Sequence, residues 1–275
     1  RERLVSSADR GGFIMFQKKM ILGFPINIIN LEETIKLLET ILQSRPLEKP
    51  GERVRVITIN PEMMMMGLKD SCLLKSLQSG DLIVPDGIGV VLAMRLFGVK
   101  GQQRVTGVDL VENLLTKLQS AGLRIYLLGG EPGIAEAATR QISCRWPGVR
   151  VTGFTHGYFS PDQNQEVIYY INQARPDLLL VGMGVPRQEV WLANNWGALE
   201  VPLGIGVGGL LDLWAGKTSR APEGIRRVGL EWAYRATRAP ERLWRLRGLP
   251  NFIRMVCKER FSWRKIKGGK QNEGI

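Results

Sequence analysis

Four places in the sequence put polar or glycine-rich residues directly after an apolar run, and each could do chemistry. The first is Leu82-Ile83-Val84-Pro85-Asp86-Gly87-Ile88-Gly89, where the run breaks into a Pro-Asp-Gly-x-Gly turn. Such a run reads as a buried strand, and the glycines let the backbone turn without a side-chain clash. Asp86 then stands at the carboxyl end of a strand, where open α/β sheets bind their ligands. Asp-Gly pairs also serve as plain turn or cap residues, so Asp86 gains weight only from what stands beside it. Val54–Asn60 is β-branched and closed by Pro61, which presents Thr58 and Asn60 at a second strand end. Leu123–Leu128 runs into Gly129-Gly130-Glu131-Pro132-Gly133, where amides can meet a phosphate or ribose, although this is not a G-x-G-x-x-G fingerprint. Asp177–Val181 runs into Gly182-Met183-Gly184, followed by Gln188, whose amide can both donate to and accept from sugar hydroxyls. Arg104, at a helix entrance near the Asp86 turn, suits an anion contact.

These positions need a scaffold, and the order of elements supplies one. Asn30-Leu-Glu-Glu33 resembles a capped helix start, Val90–Leu96 reads as a helix, and Val149–Phe154 and Val201–Gly206 read as further strands. Strands alternating with helical segments predict an α/β fold with a mostly parallel sheet and the polar strand ends along one edge. Met20–Ile29, broken by Pro25 and Asn27, reads as a first strand or hairpin and not as a signal peptide. The Met63–Met66 run reads as core filling. His156, the only histidine, is given no role as a base, and Cys72, Cys144 and Cys257 lack metal or disulfide spacing, as in a cytoplasmic protein.

The 275 residues carry a net charge of +12, and its distribution is uneven. Lys217 to Lys270 hold 16 Lys and Arg against 4 Glu, whereas the rest of the chain balances 22 basic against 22 acidic residues. The division that follows is a loose leader over 1–19, a catalytic core over 20–216, a basic helical appendage over 217–270 and a short tail over 271–275. Pro222, Pro240 and Pro250 mark helix starts in the appendage, where aromatic residues alternate with arginines. That pattern fits a membrane interface, a nucleic-acid surface or a face packed on the core. No apolar run approaches the ~20 residues that span a bilayer.

Taken in order, Thr58-Ile-Asn60-Pro61, Pro85-Asp86-Gly87-x-Gly89, Arg104-Val-Thr-Gly-Val-Asp109-Leu, Gly129-Gly130-x-Pro-Gly133, Gly184-x-Pro186-x-Gln188-Glu189-x-Trp191, Arg220-Ala-Pro222 and Gly229-Leu-Glu-Trp232 resemble the WecG/TagA/CpsF glycosyltransferases. The resemblance covers about residues 20 to 260. It implies a Rossmann-like core with helices on both faces and an inverting transfer of a sugar, N-acetylmannosamine or a related hexose, from a UDP-sugar to a polyprenyl-diphosphate-linked acceptor at the cytoplasmic membrane face. By the same resemblance Asp86 takes the place of the catalytic base. Thr58, Asn60, Arg104 and Gln188 become pocket residues, and Arg235, Arg242 and Arg245 of the appendage reach the active site. Gly129, Gly130, Gly182 and Gly184 are expected to face the nucleotide.

Inversion needs one base, which one carboxylate provides. The leaving UDP develops charge that arginines or a metal must stabilise. No Asp-x-Asp motif ends a strand, so a metal-independent reaction without cofactor is expected. The anionic lipid acceptor and an anionic membrane surface suit the basic appendage better than nucleic acid does. A nicotinamide oxidoreductase and a basic nucleic-acid-binding protein are the competing classes. The oligomeric state stays open, a homo-oligomer included.

Overall fold

The structure is a computed structural model and describes residues 16–43, 53–229, 231–238 and 248–269. Pro240, the short tail and most of the expected leader lie outside the described residues. The chain opens with a hairpin, β1 (Lys18–Ile21) and β2 (Phe24–Asn27), so Lys18 and Lys19, read as leader, instead pair with Asn27 and Ile26. Helix α1 (Leu31–Gln43) follows, and its start is a reciprocal capping box. Asn30 N–H donates to Glu33 Oε2 and Glu33 N–H to Asn30 Oδ1, both at 2.9 Å.

Then come β3 (Val54–Ile59), α2 (Pro61–Gly67), α3 (Ser71–Gln78), β4 (Leu82–Pro85), α4 (Ile88–Leu96) and α5 (Gly107–Leu118). A second half follows with β5 (Arg124–Gly129), α6 (Ile134–Arg145), β6 (Arg150–Thr155), α7 (Asn164–Ala174), β7 (Leu178–Gly182), α8 (Arg187–Asn195), β8 (Leu203–Gly206) and α9 (Leu210–Trp214). The appendage contributes α10 (Glu223–Arg227), α11 (Glu231–Arg238) and α12 (Gly248–Gly269).

Six strands form one sheet in the order β4-β3-β8-β7-β5-β6, and every pair is parallel. A parallel sheet must be covered on both faces, and alternation along the strands does this. Val56, Val84, Leu127, Leu180 and Ile205 meet α1, α5, α6 and α9. Ile57, Ile59 and Ile83 meet α2, α3, α4 and the hairpin, while Leu128, Leu179 and Val181 meet α7 and α8. The neighbours β3 and β8 send their following helices to opposite faces, α2 to one and α9 to the other. Such a switch point opens a crevice at the carboxyl ends of the two strands.

The appendage is not separate from this core. Phe252 and Val256 of α12 are buried among Met63, Met64, Val90 and Met94. Pro222 caps α10, and Pro250 lies in the first turn of α12, as the sequence suggests.

Candidate active site

Register places the first residues of the site. Ile59 pairs with Pro85 across β3 and β4, so Asn60 and Asp86 follow side by side, and Asp86 N–H donates to the Ile59 carbonyl at 2.7 Å. The next residue, Gly87, has a φ of +90°, which L side chains rarely adopt, so glycine is required where the chain leaves Asp86 and enters α4. Asp86 is half-buried at this corner. A Cβ on Gly89 would stand 2.8 Å from Pro61 and 3.7 Å from the Phe252 ring, so α4, α2 and the appendage helix α12 close around the Asp86 turn.

Asn60 caps α2, its Oδ1 accepting from Met63 N–H at 2.9 Å, which leaves Nδ2 as the donor it can offer a ligand. Thr58 is buried on the other face, with the first residue of α5 packed on it: a Cβ at Gly107 would lie 3.4 Å from Thr58 Oγ1. The segment before α5 runs beside β4, Val105 N–H donating to the Pro85 carbonyl at 2.8 Å, so Arg104 arrives at the same edge. Arg104 Nη2 donates to the Arg226 carbonyl of α10 at 3.2 Å and so ties the appendage to the core.

A polar cluster that sequence reasoning passed over supports this segment. Thr106 caps α5, donating to Asp109 Oδ2 at 2.7 Å and accepting from Asp109 N–H at 3.0 Å, and Arg220 pairs with Asp109. Burial pushes the Asp109 carboxyl up, but hydrogen bonds from Arg220 and Thr106 and the charges of Arg220 and Arg104 outweigh it. The group is held below the usual carboxylate range. The Thr-x-x-Asp spacing was the available signal.

The glycines divide into two kinds. Gly129 and Gly182 let strand ends approach: a Cβ on Gly129 would overlap the Gly182 carbonyl, and one on Gly182 would stand 2.9 Å from the Gly208 oxygen. Gly130, at φ +69°, donates its N–H to the Gly182 carbonyl at 3.0 Å. Gly184, at φ +75°, faces open space at the rim of the crevice. Among the four, Gly184 alone has open space where a Cβ would stand, its N–H and carbonyl both being held by Gln188, and Gly129 and Gly182 shape the edge.

Gln188 turns inward. It is 3% exposed; Oε1 accepts from Gly184 N–H at 3.1 Å and Gly208 N–H at 3.0 Å, and Nε2 donates to Glu189 Oε1 at 2.9 Å. It joins the β7 and β8 loops of the crevice, which the sugar-contact reading of its amide did not foresee. Arg235 sits on α11, while Arg242 and Arg245 lie outside the described residues. His156 is engaged locally, its Nδ1 accepting from Tyr158 N–H at 3.2 Å. A cavity of about 480 Å³ lies between β6 and α7 at the far edge of the sheet from β4, lined by Tyr126, Phe159, Glu166 and Tyr170, and is not the Asp86 crevice.

The arrangement defines a doubly wound α/β fold whose crevice brings a carboxylate, an amide donor and an arginine to the strand ends. Comparison with known proteins makes the class specific. The profile of the glycosyl transferase WecG/TagA/CpsF family matches residues 19–266, and the chain belongs to that family. It is 33% identical over 204 residues to the Bacillus subtilis (strain 168) N-acetylglucosaminyldiphosphoundecaprenol N-acetyl-beta-D-mannosaminyltransferase, covering 74% of this chain and 79% of the relative. It is 32% identical over 215 residues to the protein of the same name from Staphylococcus aureus (strain MW2), covering 78% of this chain and 83% of the relative. The chain is thus a glycosyltransferase, and the oxidoreductase reading falls away.

Proposed function

We propose that this protein transfers N-acetylmannosamine from a UDP-sugar to a polyprenyl-diphosphate-linked N-acetylglucosamine, with inversion at the anomeric carbon and Asp86 as the base. The observation that carries the reading is the register that sets Asp86 beside Asn60 at the switch-point edge, with the Arg104 segment hydrogen-bonded next to it. The transferred sugar and the diphosphate-lipid acceptor are those in the names of the relatives, and the UDP carrier is what the family resemblance implies. In the step itself an acceptor hydroxyl gives its proton to an Asp86 carboxylate oxygen as its own oxygen bonds to the anomeric carbon. The bond from that carbon to the phosphate oxygen breaks, and its electron pair leaves with UDP. Arg104 is the described cation brought to this edge to meet the developing phosphate charge. Asn60 Nδ2 binds and orients, and the reaction proceeds without a divalent ion.

The acceptor is a membrane lipid, and the surface beside the site suits one. Leu92 and Leu96 of α4 are exposed together with Val228, Trp232, Ile253 and Phe261 of the appendage. Two contacts bring these segments together. A Cβ at Gly229 would lie 3.1 Å from Ile88 Cβ, and Arg260 Nε donates to the Leu96 carbonyl at 2.9 Å. Apolar side chains among arginines and lysines favour an anionic bilayer surface, each basic residue near it contributing about 1 kcal/mol before screening. None of the described helices is long and apolar enough to cross a membrane, so attachment is peripheral in this reading.

The test is incubation with a panel of UDP-sugars and a short-chain lipid-diphosphate N-acetylglucosamine, following UDP release and the disaccharide-lipid product. Release of UDP with N-acetylmannosamine transferred supports the reading, and turnover with another sugar alone would replace the donor. Loss of activity in EDTA that Mg²⁺ or Mn²⁺ restores would refute metal independence.

A further inference from the structure

We propose that Glu189 is a positioning residue: by accepting from Gln188 it fixes the orientation of the Gln188 amide, which in turn locks the two glycine loops that frame the crevice. The inference rests on reading that crevice as the substrate site. Glu189 is 2% exposed and sits beneath the carboxyl edge of the sheet. A side-chain amide has two faces of nearly the same shape, one accepting and one donating. Here the carbonyl must face outward, because Gly184 N–H and Gly208 N–H both point at it. A flipped amide would set its NH₂ against two part-buried N–H donors and its oxygen against Glu189 Oε1, leaving these groups unsatisfied at a real desolvation cost. Glu189 Oε1, 2.9 Å from Nε2, selects the productive orientation by accepting there; burial pushes the Glu189 carboxyl up, opposed by the Gln188 hydrogen bond and the Arg55 charge.

The surroundings are built for this pair. A Cβ on Gly206 of β8 would overlap Glu189 Oε1 and stand 2.7 Å from Gln188 Nε2, so glycine at 206 is the space the pair occupies. From β3 the buried Arg55 faces Glu189; its Nη2 donates to Ser79 Oγ at 2.8 Å, while Nε and Nη1 have no hydrogen-bond partner among the described residues. Its charge opposes the cost of burying the carboxyl. Both loops gathered by Gln188 hold glycine at positive φ, +75° at Gly184 and +52° at Gly208, with open space where a side chain would be. No side chain at either glycine adds packing, so the Gln188 oxygen joins the backbone bonds of each loop as the link between the two. Among the described residues the Glu189 side chain hydrogen-bonds Gln188 and neither loop, so it acts on them through Gln188.

The test is residue-resolved amide hydrogen exchange by NMR. In the wild type, Gly184, Gly208 and the Gln188 side-chain amide should all exchange more slowly than free amides. A Gln188 side chain exchanging at the free-amide rate overturns the proposal whatever the variants do. Glu189→Met should speed exchange at Gly184 and Gly208 by about tenfold, the scale of one lost hydrogen bond, while Val181 and Ile205 in the strands stay protected. Arg55→Met/Glu189→Met, which leaves no buried charge unpaired, should do the same, and it carries the test if the single variant does not fold. Glu189→Gln, which can still present an oxygen to Gln188, should restore protection. Folded Met variants with wild-type protection at both glycines would refute the clamp. Because exchange needs no turnover, an absence of sugar transfer would count against the proposed function and not against this inference.

Discussion

Phe252→Ala is the change that most directly probes how the appendage meets the catalytic edge. Phe252 is 2% exposed, lies 3.7 Å from the position of a Gly89 Cβ, and packs with Met63 to Met65, Val90 and Met94. Truncating a buried phenylalanine costs about 3–5 kcal/mol. The loss falls on the docking of α12, because the sheet and its other helices keep their own contacts. At about 1.4 kcal/mol per factor of ten, the docked state loses about 10²–10³ relative to an undocked one. Global unfolding should therefore shift modestly while α12 loses exchange protection and its Arg254, Lys258 and Arg260 bonds become cleavable by trypsin. Transfer activity should fall with it, because α12, α2 and α4 together close the Asp86 turn. Wild-type protection across α12 in the folded variant would refute the reasoning, as would full activity with α12 undocked.

Arg104→Ala should lower kcat/KM for transfer by at least about tenfold, well beyond the ±0.5 kcal/mol of an ordinary surface change. Wild-type kinetics would return it to a link between the core and the Arg226 carbonyl. Gly129→Ala, forced into a φ of +144° and into the Gly182 carbonyl, should cost roughly 2–4 kcal/mol by denaturant unfolding, and a neutral effect would contradict the close approach of β5 and β7. Asp109 is held below its unfolded value of about 3.9, so its contribution to stability is present above that value and lost as pH falls through the folded one. The stability gap between wild type and Asp109→Asn should accordingly close in acid, and a gap independent of pH would show that Arg220 and Thr106 do not act through the carboxylate charge.

Much of this was legible in the chain. Apolar runs ending in Asn60, Asp86, Gly129 and Gly182 became neighbouring strand ends because parallel strands share direction, so motifs that each follow a strand converge on one edge. The Asn30 cap was readable from its own four residues. What escaped depends on partners distant in sequence. Gln188 looks like a sugar ligand until Gly208, twenty residues on, brings a second N–H to its oxygen. For the appendage the sequence leaves a membrane interface, a nucleic-acid surface and a face packed on the core open together, because charge shows in composition whereas the burial of Phe252 and Val256 depends on which face of α12 meets α2. Lys18 and Lys19 look like leader because a short edge strand need not be apolar, and their pairing is fixed by the hairpin.

The central claim is that Asp86 takes the acceptor proton in this crevice. The measurement that tests it is the rate of N-acetylmannosamine transfer to a short-chain lipid-diphosphate N-acetylglucosamine by wild type and by Asp86→Asn, with UDP binding followed by calorimetry on the same preparations. The account predicts that the variant folds and binds UDP as the wild type does, yet transfers about 10²-fold or more slowly, the range for a lost positioned base. A folded Asp86→Asn protein with near wild-type turnover would contradict it.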